Sequence, residues 1–480
     1  MRTRAVLAIG RPARLAALLF LVLAVVYTGS IGLRASRGAS ITGDEPFYLL
    51  TTQSLLQDGD LDLTQQYAAR SYRSFFDHPD GLWRQSVPRD DGVLLSPHNP
   101  GLSLLVLPGF AAAGLLGVQI ELLLLTALAF ALGFVFVDRV SGRTGLAWWT
   151  TLVVGCSATA FVYSTEVYPE APAALALVIA LLLVSGPRPG VWRSVGIVAA
   201  CSAIPWLGVK YAPLAVVVGA VAVWRASREG RIVIAIAGGV SAAAFVVFHL
   251  MTFDGLTPYG LNTVYAGESA AALVGDHLGF ADRFYRIWGL FVDRRFGIAR
   301  WAPFLVLVVP GVVMLAYGRW RERTVAVVIA TQIAIATFVA ITMMGWWFPG
   351  RTMMTVFPLL PLPILAVIRS GGRWAGRLAA ALAVWTVAIT ASLAVGGHGG
   401  EVVVAVDPFE LGALPFRAFA GLFPSYVSWG PGTIVLTVLW LALIGLAITW
   451  AVHRCRIERH TPRELPPEIP TRVPVAAGTG

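Results

Sequence analysis

The chain has 480 residues, 57% of them hydrophobic and only 13% charged, with a mean hydropathy of +0.74. So little polar sequence excludes a set of soluble domains and marks a membrane protein, in which length counts spans. The net charge of +10 is spread as short arginine clusters between apolar runs, a topology signal rather than a nucleic-acid-binding patch.

In chain order, MRTRAVLAIGRPAR precedes an apolar run from Ala13 to Leu33. The run is long for a signal peptide and no small-x-small cleavage site follows it, so it is expected to be a retained first span. Residues 34 to 100 form a first extracytoplasmic loop. Residues 102 to 137 hold apolar sequence for two helices where the flanking loops allow one crossing. Gly101, Pro108, Gly109, Gly114 and Gly117 make Leu102 to Val118 a re-entrant or juxtamembrane helix, with Ile120 to Val137 as the crossing. Further spans are predicted at 146–163, 171–186, 194–209, 211–225, 231–250, 301–317, 324–343, 352–368, 378–395 and 431–452. The pair at 194–225 is short, so its tip, IPWLGVKYAP, is expected below the membrane surface.

With the arginine-rich segments placed in the cytoplasm, the segments 34–100, 164–170, 251–300, 345–351 and 396–430 fall outside. The fold class is therefore an all-α polytopic bundle of about twelve spans (about 11 to 13), with both termini inside and amphipathic juxtamembrane helices in the first outer loop. Residues 1–455 form the membrane domain, and the Pro-rich 456–480 is expected to be a disordered cytoplasmic tail. Cys156, Cys201 and Cys455 show no CxxC or Cys/His spacing, so neither a disulfide framework nor a zinc site is implied.

The outer segments carry the residues able to do chemistry. Asp44 and Glu45, in ITGDEPFYLL, follow the first span closely; a helix starts there, with Thr42 or Asp44 as N-cap and Tyr48, Thr52, Leu55 and Leu56 on one face. The acidic pair either caps that helix or serves a reaction. Asp58, Asp60 and Asp62 resemble the start of a calcium loop. Glycine is missing at the sixth position and Ala69 stands where a bidentate glutamate is needed, so the run is a turn. Glu166 and Glu170 flank Tyr168 in YSTEVYPEAP, and Glu170 is also placed to cap the helix that follows.

Lys210, the sole lysine among 36 basic residues, lies between two apolar arms, where a charge must be paired, reach a wet cavity or snorkel. Arg351, in MMGWWFPGRTMM, breaks the charge bias on the outer side and is suited to a phosphate headgroup through its planar fork of donors, or to anchoring an aromatic belt. Arg283, Arg286, Arg294, Arg295 and Arg300 crowd another outer loop, where they meet lipid headgroups or line the same phosphate site.

Four segments carry a resemblance: GDEPFYLL, SPHNPGLSLLVLPGF, YSTEVYPEAP and GWWFPGRTMM. In order and loop placement they resemble the GT-C superfamily of polytopic glycosyltransferases, the group of protein O-mannosyltransferases and aminoarabinose lipid A transferases (glycosyltransferase family 39-like), over most of residues 1–370. The resemblance implies transfer of a sugar from a polyprenyl-phosphate donor to an extracytoplasmic acceptor, a cell-envelope glycan, lipid or protein, with inversion. It implies Asp44 as general base, with Glu45 orienting it or binding sugar or a divalent cation, the only cofactor in view. It implies Arg351 and Lys210 at the donor phosphate with Arg294 or Arg295 behind them, and Glu170, His98 and Tyr168 as substrate-binding residues. The chain departs from better-known members in ending without a large outer C-terminal domain. A transporter or flippase of lipid-linked saccharides is the rival reading, although no repeated halves are visible.

Overall fold

The computed structural model describes residues 10–263, 280–340, 342–343 and 346–460; among these the regular elements are helices joined by turns and loops, and the one β-type pairing is an isolated bridge between Ser86 and Asn262. The expected tail falls largely outside the described residues, which end in the Pro431–His460 helix, five residues beyond the boundary expected at 455. Part of the expected 251–300 loop, 264–279, also lies outside them.

Backbone amides in hydrocarbon must bond internally, which is why apolar runs of this length become helices. Among the described residues six helices are long and apolar enough to cross a membrane, or seven if the pair Arg351–Leu359 and Pro361–Ser370, bent by 57°, is one span. Glu170–Ser185, Val191–Leu207 and Pro303–Ala316 are apolar but shorter. The protein is thus an integral membrane protein, but by length its helices do not add up to the twelve full spans expected. Several predicted spans are short or broken: Thr144–Gly155 stops at Cys156, and Ala158–Val162 resumes it.

The bundle is layered by burial. Leu107–Ser141 runs through the centre, packed on Arg11–Thr28 and Glu170–Ser185, whereas Arg228–Phe253 and Pro431–His460 lie at the periphery with few buried residues. In the first helix Leu19, Leu23 and Tyr27 recur every fourth residue on the buried side, while Leu18, Leu21 and Val25 are exposed. This helix ends at Thr28, short of the expected Leu33.

The stretch expected to be re-entrant does fold back. The helical backbone breaks at Ala113 and Gly114, where Gly114 takes a positive φ of 57°. The preceding turn then lies on Gly117, whose absent Cβ would sit 1.9 Å from the Gly109 carbonyl, and the Glu121 carboxylate accepts the Gly109 N–H at 2.9 Å. The crossing helix emerges from this hairpin and continues to Ser141, past the expected Val137.

Glu45–Gln57 differs from the expected helix with one apolar face. It is buried on every side from Glu45 to Ser54, while Leu56 is exposed. The short pair at the 194–225 position forms Val191–Leu207 and Ala212–Arg225, joined by a 3-10 turn at Val209–Tyr211. That turn, and the 3-10 segment Arg351–Leu359, put Lys210 and Arg351 inside the protein beside the first loop.

Candidate active site

Two glycines set the two main charged groups. Gly43 has φ +61°, and a Cβ there would lie 2.6 Å from the Tyr168 hydroxyl; Gly350 has φ +88°, and a Cβ there would lie 2.9 Å from Thr159 and Ile298. Only glycine fits such backbone at such approach. Each directly precedes a charged residue, Asp44 and Arg351, and turns its side chain into the protein.

There Arg351 bridges two carboxylates. Its Nη2 donates to Asp44 Oδ2 at 2.9 Å and its Nε donates to Glu170 Oε1 at 3.0 Å. Glu170 Oε1 also accepts from Lys210 Nζ at 3.3 Å and from the Tyr211 hydroxyl at 2.8 Å. The guanidinium lies 3.8 Å from the Tyr168 ring centroid and 5.2 Å from that of Trp347, two cation–π contacts that close its faces. Glu170 is fully buried, and the side chains of Arg351, Lys210 and Asp44 are 8%, 15% and 20% exposed, so Asp44 is the most accessible member. His98 Nε2 lies 3.8 Å from Asp44 Oδ1 and 2.8 Å from Gln85 Oε1.

Burial alone raises the pKa of the Asp44 carboxyl, but Arg351, His98 and Lys210 outweigh it and bring it from 3.8 down to about 2. Glu45 moves the other way: burial lifts its carboxyl above the ordinary range although its oxygens accept the backbone N–H groups of Thr42 and Val167, both at 2.9 Å. Glu166 is likewise pushed up by burial and by Glu45, and both its oxygens are buried without a hydrogen-bond partner among the described residues. The neighbouring acids Asp44 and Glu45 are therefore unlike. Glu45 fastens the first loop to the 164–170 loop, and Asp44 presents an ionised carboxylate to the cations.

The geometry answers the capping alternatives. Asp44 occupies the N-cap position of Glu45–Gln57 without a side-chain cap bond, and its carboxylate turns to Arg351 instead. Glu170 sits in the first turn of its helix, yet its carboxylate gathers Arg351, Lys210 and Tyr211. The Asp58, Asp60 and Asp62 carboxylates are spent on Gln66, Ser54, Asp62, Thr64 and Leu94, bonds that build a turn.

Arg294 and Arg295 stand apart. Arg294 Nε donates to the Phe423 carbonyl at 3.0 Å and Arg295 lies over the Phe409 ring at 5.4 Å, so the contacts these two make tie their loop to the 405–426 segment and not to Arg351 or Lys210. Sequence reasoning passed over Gln85 and Tyr211. Tyr211 adjoins Lys210 in a turn too short to face two ways, a signal that was available; Gln85 carries none in its neighbourhood.

No family model matches the chain, and no curated protein does. Among solved structures the chain is similar to the crystal structure of ArnT from Cupriavidus metallidurans bound to undecaprenyl phosphate. The identity is 14% and the TM-score 0.44, over 90% of this chain and 77% of that one.

Small cavities flank the cluster. One of about 20 Å³ is lined by Arg351, Trp347 and Gly350, and one of about 10 Å³ by Glu45, Glu166 and Ser30. They hold a water at most. A larger cavity, about 560 Å³, lies away from this chemistry, among Gly371, Trp374, Trp450 and Arg454 on the arginine-rich side. It is an open groove between helix ends, and the closed, polar cluster is the better candidate for a reaction site because charged groups converge there.

Proposed function

We propose that the chain is a membrane glycosyltransferase of the GT-C kind, which moves a sugar from a polyprenyl-phosphate donor to an extracytoplasmic hydroxyl acceptor. The observation that carries this reading is the pairing of a partly accessible carboxylate, Asp44, with a guanidinium and an ammonium, Arg351 and Lys210, about one buried acid, Glu170. Displacement at an anomeric carbon needs a base at the attacking hydroxyl and positive charge at the departing phosphate. A single inverting displacement needs only one carboxylate at the reacting centre, in contrast to the paired carboxylates of a retaining glycosidase.

The acceptor hydroxyl attacks the anomeric carbon as Asp44 takes its proton. The bond from that carbon to the phosphate oxygen breaks, and its electron pair leaves with polyprenyl phosphate. Arg351 and Lys210 stabilise the second negative charge that grows on the phosphate, and the planar guanidinium suits two phosphate oxygens. Total charge is conserved, because the carboxylate lost at Asp44 reappears on the phosphate. Glu45, held by two backbone amides, orients Asp44. His98 and Tyr168 lie where a bound sugar would meet them, at Asp44 and over Arg351.

A carboxyl held near pKa 2 is a poor base. While Arg351 grips Asp44 the site is off; a donor phosphate that draws Arg351 to itself releases Asp44 to climb toward useful basicity. Donor binding before acceptor is the expected order.

The test is the fate of the sugar. In vesicles supplied with polyprenyl-phosphate sugars and an acceptor extract, the wild-type protein is expected to release free polyprenyl phosphate as the sugar is lost. A lipid-linked saccharide that crosses the bilayer intact, with none cleaved, would favour the transporter.

A further inference from the structure

The SPHNPG segment touches both halves of the cluster through consecutive residues. His98 faces Asp44, while Asn99, 4% exposed, faces the turn that carries Lys210. Its Oδ1 accepts the Val209 N–H at 3.2 Å, one residue before Lys210, and its Nδ2 pairs with His249 Nε2 at 2.9 Å. His249, fully buried near the C-terminal end of the peripheral Arg228–Phe253 helix, places Nδ1 2.8 Å from the Phe245 carbonyl.

Only one assignment of donors satisfies all three bonds. The Val209 amide has a proton to give and the Phe245 carbonyl has none. Asn99 must therefore turn its oxygen to Val209, His249 must carry its proton on Nδ1, and Nε2 must accept from the Asn99 amide. The chain of bonds runs one way, from Val209 through Asn99 and His249 to Phe245, with no freedom to flip. Close packing supports it: a Cβ at Gly101 would lie 2.3 Å from the Trp206 carbonyl, so the segment is seated directly on the end of the Val191–Leu207 helix.

We infer that Asn99 and His249 are positioning residues for Lys210, a brace that fixes its turn at the distance the donor phosphate requires. The inference rests on the proposed phosphate role of Lys210. Without the brace, the turn between Gly208, where one helix ends, and Ala212, where the next begins, keeps the Lys210 and Tyr211 bonds to Glu170 and its own Tyr211 N–H bond to the Gly208 carbonyl, but loses its tie to the SPHNPG segment. A buried amide that loses its partner re-solvates or shifts, and Lys210 shifts with it.

Because Lys210 is the sole lysine, reductive methylation with 13C-formaldehyde in an amine-free detergent labels it and the N-terminal amine alone. In Asn99→Leu and His249→Leu the Lys210 methyl resonance is expected to move and its labelling rate to rise about five-fold, the factor set by loss of one hydrogen bond. His249→Gln, whose amide oxygen reaches where Nε2 stands, should restore the wild-type resonance and rate. On transfer, Asn99→Leu and His249→Leu should each raise the KM for donor more than they lower kcat, and His249→Gln should keep the wild-type KM. Unchanged labelling and resonance in both Leu variants overturn the brace. Altered labelling with an unaltered donor KM keeps the brace and overturns the phosphate role of Lys210. Should Asn99→Leu fail to fold, His249→Leu against His249→Gln gives the same contrast.

Discussion

The pair Asp44 and Arg351 allows a prediction with a worked magnitude. A carboxyl brought from 3.8 to about 2 is ionised with a preference of about 2 kcal/mol, at 1.36 kcal/mol per pH unit. Asp44→Asn removes that stabilisation but leaves Arg351 with Glu170, so it should cost no more than about 2 kcal/mol. Arg351→Gln strips the partner from two buried carboxylates and should cost about 3–5 kcal/mol, the usual result of breaking a buried pair from one side. The double variant should then be more stable than the two losses added, by about 2 kcal/mol, since a neutral amide at position 44 needs no guanidinium.

The sign with pH follows. In the wild type the depressed Asp44 carboxyl contributes stability above pH about 4 and loses it as pH falls through about 2. In Arg351→Gln burial dominates, the carboxyl rises above 3.8, and stability should instead fall as pH rises from about 4. Thermal unfolding of the four proteins in one detergent, at about pH 2, pH 4 and pH 7, reads both effects. Additivity within about 0.5 kcal/mol would refute the coupling by which Arg351 holds Asp44.

Other expectations follow from the same geometry. Gly43→Ala forces a side chain into a left-handed backbone 2.6 Å from the Tyr168 hydroxyl, and should lower stability by about 1–3 kcal/mol and reduce transfer; an unchanged melting temperature and rate would show that the turn is not needed. Glu45→Gln sets an amide NH2 against one of two backbone donors and should cost about 1–3 kcal/mol, read by thermal unfolding. Arg294→Ala and Arg295→Ala break contacts to the 405–426 segment and should leave the donor KM unchanged, whereas Lys210→Ala should raise it, as initial-rate kinetics will show.

Much of this was legible in the sequence because charge inside an apolar chain is costly and so stands out. Asp44, Lys210, Glu170 and Arg351 each broke the local pattern, and the structure places them within one network of contacts. The hairpin before the central helix was legible from Gly109 and Gly117, where two backbones touch, and from Gly114, whose positive φ turns the chain. Three things were hidden. The count of twelve spans is not confirmed, because helices such as Glu170–Ser185 and Val191–Leu207 are apolar but too short to cross a membrane by length alone. The anchoring role that sets Glu45 apart from Asp44 depends on backbone amides at Thr42 and Val167, which no side-chain pattern encodes. Asn99 and His249 are 150 residues apart, and only the fold brings them together.

The decisive measurement is single-turnover sugar transfer by wild type and Asp44→Asn, each preloaded with polyprenyl-phosphate sugar in bilayers. Loss of the base should slow the chemical step by about 10²–10⁴-fold while donor binding persists. Equal rates in the two proteins would contradict the account, since a carboxylate that can be neutralised without effect takes no proton from the acceptor.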